Sequence, residues 1–229
     1  PVETEITATS LGLGVNSVAV IPGSAEDEVW IVVARYINGS IVRYLEQMQP
    51  RDWGSDEEDQ WFVDAGLDYD GTAVSSLSGL DHLEGEEIAI FADGAIVASQ
   101  TVTNGTITFT GTRSRVIAGL PFRWTLKPMR IDLTGPQGTS QTALKRIAEV
   151  VVSFYESGMV EYGTDMNHLK KLKWRTTESY DSPPALYTGN KLLNPEGGFD
   201  AEDTFILTGN SPVACTVRAI IPRMKVTGR

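Results

Sequence analysis

The sequence predicts an all-β fold: an antiparallel sandwich or sheet domain that carries a small inserted β-barrel. Three observations point there. Short apolar and β-branched runs recur along the chain, as in Glu87–Ala92, Ala95–Thr101 and Thr106–Thr110. Asn38-Gly39, Asp93-Gly94 and Asn104-Gly105 punctuate them, and such pairs suit tight hairpins because both central residues of the turn need positive φ. The most helix-like stretch, Thr142–Tyr155, matches helical spacing at Leu144, Ile147, Ala148 and Val151. It also holds Val150-Val151-Val152 and Phe154-Tyr155. Adjacent β-branched and aromatic side chains outweigh that short match, so a strand is expected.

Taken in order, residues 1–14 read as an extended lead-in, with several Thr and two spaced glycines. Val15–Ile21 alternates and stops at the turn signal Pro22-Gly23. Val29–Ile37 and Ile41–Met48 form the clearest hairpin, and the first of these strands is apolar on both faces, so burial on both is expected. Arg51–Asp59 is polar and ends in an acidic run. Trp61-Phe62-Val63 is a short apolar anchor, and Gly- and Ser-rich Asp64–Ser78 reads as a connection. Gly79–Phe122 is a compact set of short strands, too small to bury much surface alone, so it should lean on its flanks. It is read as an inserted module, residues 79–122, that leaves 1–78 and 123–229 as one discontinuous β domain. Beyond it, Phe122–Leu133 is expected as a strand bent at Pro128, and Thr134–Gly138 as a loop. Met159–Tyr162 is the expected hairpin partner of Thr142–Tyr155, across Ser157-Gly158. Lys170–Thr177 alternates Lys with apolar residues, as a half-exposed strand would. Pro183-Pro184 breaks the chain, Asn194–Glu202 is a loop, and Phe205–Leu207 with Val213–Ile221 closes the fold.

The pattern Gly79-Leu80-Asp81-His82-Leu83-Glu84-Gly85, followed by Ile88, Ile90, Asp93 and Gly94, resembles one seen repeatedly in phage and prophage tail proteins. That module is similar to the first catalytic-cysteine half-domain of ubiquitin-activating enzymes, a small β-barrel. The flanks extend the resemblance: Val29–Val33, Arg35–Gly39 and Arg43–Glu46 before it, and Gly119–Phe122 after it. The order of these motifs resembles the C-terminal part of the tail tubular (nozzle) protein of short-tailed phages. The resemblance implies a structural protein of the virion tail, assembled in the bacterial host cytoplasm. Copies would pack around an axis, below a head-to-tail adaptor, as part of the DNA-ejection conduit. In that family the nozzle is a six-membered ring, so a homo-hexamer is implied by carry-over. No ubiquitin-like chemistry follows, because the catalytic cysteine of those enzymes lies outside the half-domain and Cys215 is far along the chain from the module.

The chain has 229 residues, enough for a substantial core. With 41% hydrophobic and 21% charged residues, it groups with globular rather than disordered chains. No apolar run approaches the length of a membrane helix, and no signal-peptide pattern opens the sequence, so neither a membrane span nor secretion is expected. The net charge of −11 is unevenly spread. Residues 1–100 carry 3 Lys and Arg against 19 Asp and Glu, and residues 101–229 carry 16 against 11. An acidic half opposes wrapping of nucleic acid, so no sequence-specific nucleic-acid binding is expected. A negatively lined passage would let DNA pass without sticking, and solubility alone would also explain the charge. Ring formation needs two different patches on each copy. The charge split offers an acidic face with Asp56, Glu57, Glu58 and Asp59, opposed by a basic one from Arg113, Arg115, Arg123, Lys170, Lys171 and Lys173.

Reactive constellations are sparse. His82, in the loop that opens the insert, reads as a hydrogen-bonding group that fixes the turn. His168 has Asp165 nearby but no nucleophile at recognisable spacing. Two histidines and one cysteine are a poor supply for zinc. Cys215, in an apolar run, reads as a small buried hydrophobe rather than a reactive thiol. Asp64, Asp68 and Asp70-Gly71 invite a calcium loop. Aligning Asp70-Gly71 with the fifth and sixth EF-hand positions, however, puts Gly66 at the first and Leu77 at the last, and the pattern fails. Gly12-Leu13-Gly14 and Gly135–Gly138 lack phosphate-loop spacing. The expectation is a non-enzymatic structural protein with no cofactor and no metal. The alternative is a virion carbohydrate- or receptor-binding module, with Trp53, Trp61, Trp124 and Tyr180 offering ring faces. A glycan hydrolase using two carboxylates is the third reading.

Overall fold

A computed structural model describes residues 14–24, 26–50, 52–131, 134–135, 138–140, 143–174, 183–200 and 204–227. The protein is nearly all β, arranged in several antiparallel sheets. Among the described residues, no helix is long and apolar enough to cross a membrane. The described chain groups into two compact units, one of residues 14–122 with 211–213, the other of 123–210 with 214–227. A division falls at 122/123, where the expected insert ends, but none falls at 78. Residues 14–78 group with 79–122 rather than with 123–229.

The described residues of the first unit form seven strands: β1 (Val15–Ile21), β2 (Glu28–Ile37), β3 (Ser40–Gln47), β4 (Asp64–Ser78), β5 (Glu87–Ala92), β6 (Ala95–Thr101) and β7 (Thr106–Leu120). They form one sheet in the order β1-β2-β3 and another in the order β4-β7-β5-β6. All three anticipated turns are present with both residues at positive φ: Asn38 and Gly39 at 45° and 78°, Asp93 and Gly94 at 48° and 73°, Asn104 and Gly105 at 53° and 63°. Carboxylates bond the backbone at all three, Glu86 accepting from the Asn38 amide at 2.8 Å. Glu84 accepts from the amides of Asn104 and Gly105, and Asp93 accepts from those of Ser114 and Arg115.

Asp64–Ser78 is the main departure from expectation in this unit, a long strand rather than a connection. It pairs with β7 across register shifts between Asp64 and Leu67, between Asp70 and Val74, and between Val74 and Ser76. Bulges of this kind let a Gly-rich segment bend without leaving the ladder. The sheet also curls. The later half of β7 pairs with β5, while near its start the Gln100 side chain from β6 bonds both the amide and the carbonyl of Thr108. Leu80, Leu83, Ile88, Ile90, Val116 and Ala118 fill the interior, with Ile37 of β2 joining them. β2 is less enclosed than its sequence implied: Val33, Ala34, Arg35 and Ile37 are buried, but Tyr36 is exposed.

The second unit holds β8 (Trp124–Leu126), β9 (Thr134–Gly135), β10 (Gly138–Thr139), β11 (Lys145–Ser157), β12 (Glu161–Gly163), β13 (Leu169–Lys171), β14 (Tyr187–Leu193), β15 (Ile206–Gly209) and β16 (Thr216–Val226). Sheets β14-β11-β16 and β13-β12-β15-β8 share a core of Val150, Val152, Phe154, Val160, Leu193 and Leu207, and β9 pairs with β10. The expected strand over Thr142–Tyr155 is present from Lys145 onward as β11, as argued from its composition. Met159–Tyr162 is not its hairpin partner. β12 pairs with β13 and β15, while β11 pairs with β14 and β16. The chain switches sheets at Glu156–Met159, where Glu156 and Met159 have positive φ and buried Ser157 bonds the backbone of Tyr155 and Thr216. Over the described residues 122–131, the expected bent strand is reduced to the short β8. β14 was not anticipated, and β16 runs on through Pro222, which an edge strand tolerates.

Candidate functional site

A cleft of about 620 Å³ opens in the first unit, between the β2–β3 hairpin and the start of β4. Its apolar walls come from Ile31, Tyr44, Trp61, Phe62 and Phe122, and its polar ones from Arg43, Glu46, Gln47, Asp64 and Asp68. The Trp61-Phe62-Val63 anchor supplies one side. Trp61 Nε1 donates to the Val63 carbonyl at 3.0 Å. Gly66 makes room for the ring, since a Cβ there would lie 2.7 Å from Trp61 Cζ2.

Beneath the cleft lies Arg35, 6% exposed. Its guanidinium binds Glu46 through two parallel hydrogen bonds of 2.8 and 2.7 Å and reaches Asp64 at 3.4 Å. Such a fork fixes the orientation of a carboxylate as well as its charge. Burial raises the Asp64 carboxyl above its ordinary value, against the opposite pull of Arg35. Two carboxylates are thus held at the cleft with oxygens oriented by one guanidinium. Sequence reading missed this trio because its members lie on β2, β3 and β4; a lone Arg in an apolar strand was the one available signal.

His82 stands at the same cleft. Its Nε2 lies 2.8 Å from the Ala65 carbonyl, which can only accept, so that nitrogen carries the proton. The Tyr44 hydroxyl donates to the His82 carbonyl, and the two rings meet edge to face at 5.9 Å. His82 therefore ties its turn to the start of β4.

The charged residues expected at a subunit interface separate into two groups. Asp56 precedes a short 3-10 turn, Glu57–Asp59. From β7, Arg115 binds Asp59 at 2.8 Å and Asp68 at 3.1 Å, and Arg113 approaches Asp93 at 3.5 Å. The two arginines and the acidic run thus belong to one unit, and Arg115 and Asp59 are joined within one chain. Burial first, then Asp56, Asp93 and Asp59, raise the Glu58 carboxyl. In the other unit Lys170 binds Glu196, Lys171 and Lys173 are exposed, and Arg123 is half-buried.

Of the four aromatics considered for sugar contact, Trp61 lines the cleft and Trp53 packs edge-on against Phe62 at 5.6 Å. Trp124 lies on β8 in the other unit, and Tyr180 is outside the described residues. Asp64 and Asp68, considered for calcium, are bound to Arg35 and Arg115. No group of three or more metal-ligating side chains gathers among the described residues. Burial pushes the Cys215 thiol up to about 12, the behaviour of a packing residue. No protein-family model matches the chain, and no curated protein matches it.

Proposed function

We propose that the chain is a structural component of a phage or prophage tail, a nozzle-like protein whose copies assemble into a ring around the DNA-ejection conduit. One observation carries this reading: β1. It is an edge strand, exposed along its whole length, with Val15, Val18, Val20 and Ile21 between 47% and 60% exposed. No described strand pairs with its outer side. A long apolar edge is a template for pairing with another chain unless charge or proline blocks it, and β1 contains neither. Two unlike patches per copy then close a ring.

The charge distribution supports the same reading. Residues 6–122 carry 17 Asp and Glu against 5 Arg, and residues 123–229 carry 14 Lys and Arg against 11 acidic residues. An acidic unit of one copy meeting a basic unit of the next would set the direction of assembly. Such a ring would be built in the host cytoplasm, reside in the virion tail and stack on a head-to-tail adaptor.

Light scattering at low ionic strength is expected to give a ring, of six copies by resemblance. Its mass should fall as salt screens the contact. Val18→Lys with Val20→Lys places two cations on one face of β1, where they oppose edge pairing and repel a basic partner face. That variant should remain folded and monomeric. A mass that ignores both salt and the double substitution, with no acidic–basic contact in a cross-linked ring, would remove the proposal.

A further inference from the structure

We infer that the cleft between the β2–β3 hairpin and the start of β4 is a binding site for a neutral saccharide. The inference does not depend on ring assembly, since every lining residue belongs to one unit of one chain.

Volume comes first: about 620 Å³ lies within the range of small-ligand sites. The walls then select the chemistry. A pyranose ring has an apolar C–H face and a rim of hydroxyls. Trp61 offers a flat ring held by its own hydrogen bond to the Val63 carbonyl and seated over Gly66. Glu46 and Asp64 supply carboxylate oxygens, which accept from hydroxyl donors, and exposed Gln47 and Gln49 add amides at the mouth.

Charge decides between a sugar and an ion. The cleft's carboxylates are Glu46, Asp64 and Asp68. Arg35 holds the first two, Arg115 holds the third, and Arg43 stands on the wall. Each of the three carboxylates is already paired with a guanidinium, and Arg115 is shared further with Asp59, so no unpaired carboxylate stands ready to recruit a cation. A carboxylate whose charge is already balanced keeps free lone pairs for neutral O–H donors. Its fixed orientation also spares the cost of ordering side chains when ligand binds.

The test is titration of the full chain with chito-, cello- and malto-oligosaccharides and a polyanionic saccharide, followed by calorimetry and by the indole N–H resonances of the 5 tryptophans. At least one neutral oligosaccharide is expected to bind and to shift the Trp61 indole, leaving Trp124 unmoved. Trp61→Ala should weaken that binding about tenfold, and Trp124→Ala should leave it unchanged. The wild-type shifts locate the ligand even if Trp61→Ala fails to fold. No binding by any neutral sugar, binding by the polyanion alone, or shifts confined to residues outside the cleft would each overturn the inference.

Discussion

Arg35 shows how much a single residue can organise. It sits on an otherwise apolar strand, 6% exposed, and draws Glu46 and Asp64 into the wall of the cleft. Removing the cation would leave two partly buried carboxylates facing each other. Arg35→Met is expected to cost about 2–3 kcal/mol in urea denaturation. Adding Glu46→Leu should recover part of that loss, because an apolar pair tolerates burial where a lone carboxylate does not.

Asp93 makes the opposite use of a carboxylate. Burial acts to raise it, but bonds from the Arg115 and Ser114 amides, the Ser114 hydroxyl and Arg113 outweigh that and hold it below the ordinary aspartate value. Its folded value is depressed, so its contribution is present above the unfolded pKa. The contribution is lost as pH falls through the lower folded one. Acid titration of stability should therefore show a loss below the ordinary carboxylate range, and Asp93→Asn should lack it. At neutral pH the same variant should be about 1–2 kcal/mol less stable.

At the scale of elements, the β4–β7 pair is where the first unit closes. The two strands approach at Gly66 and Gly119. A Cβ on Gly119 would lie 2.6 Å from the Asp64 carbonyl and 2.8 Å from Gly66 Cα, both backbone atoms with little room to move. Gly119→Ala is expected to destabilise by about 2–3 kcal/mol and to disturb the Trp61 environment, readable as a shift in tryptophan fluorescence. In the second unit, Ser157 plays the corresponding part at a corner. Its hydroxyl bonds the backbone of Tyr155 and Thr216 just where the chain leaves one sheet for the other.

For the whole molecule, two sets of buried residues, one per unit, divide the chain near Phe122, and the charge divides with them. Arg113 and Arg115 lie on the acidic side of that division and are engaged by Asp93, Asp59 and Asp68. A basic face in the proposed ring would then rest on the second unit, with exposed Lys171 and Lys173 among its contributors. Lys171→Glu with Lys173→Glu should weaken the salt-sensitive part of assembly in light scattering, whereas Arg115→Ala should act mainly on stability.

Local requirements were readable from residues alone. Asn38-Gly39, Asp93-Gly94 and Asn104-Gly105 announced their turns because positive φ is a demand on two adjacent residues. Val150-Val151-Val152 announced a strand because branched side chains suit a pleated surface. Pairing over distance was decided only by the tertiary structure. Asp64–Ser78 looked like a connection until β7 supplied its ladder, and Met159–Tyr162 was near β11 in sequence yet joined another sheet. The Arg35–Glu46–Asp64 trio and the cleft above it belong to the same class. Hydrogen bonds and charge pairs depend on which strands become neighbours, and neighbours in a sheet are set by burial of the whole chain rather than by any one segment.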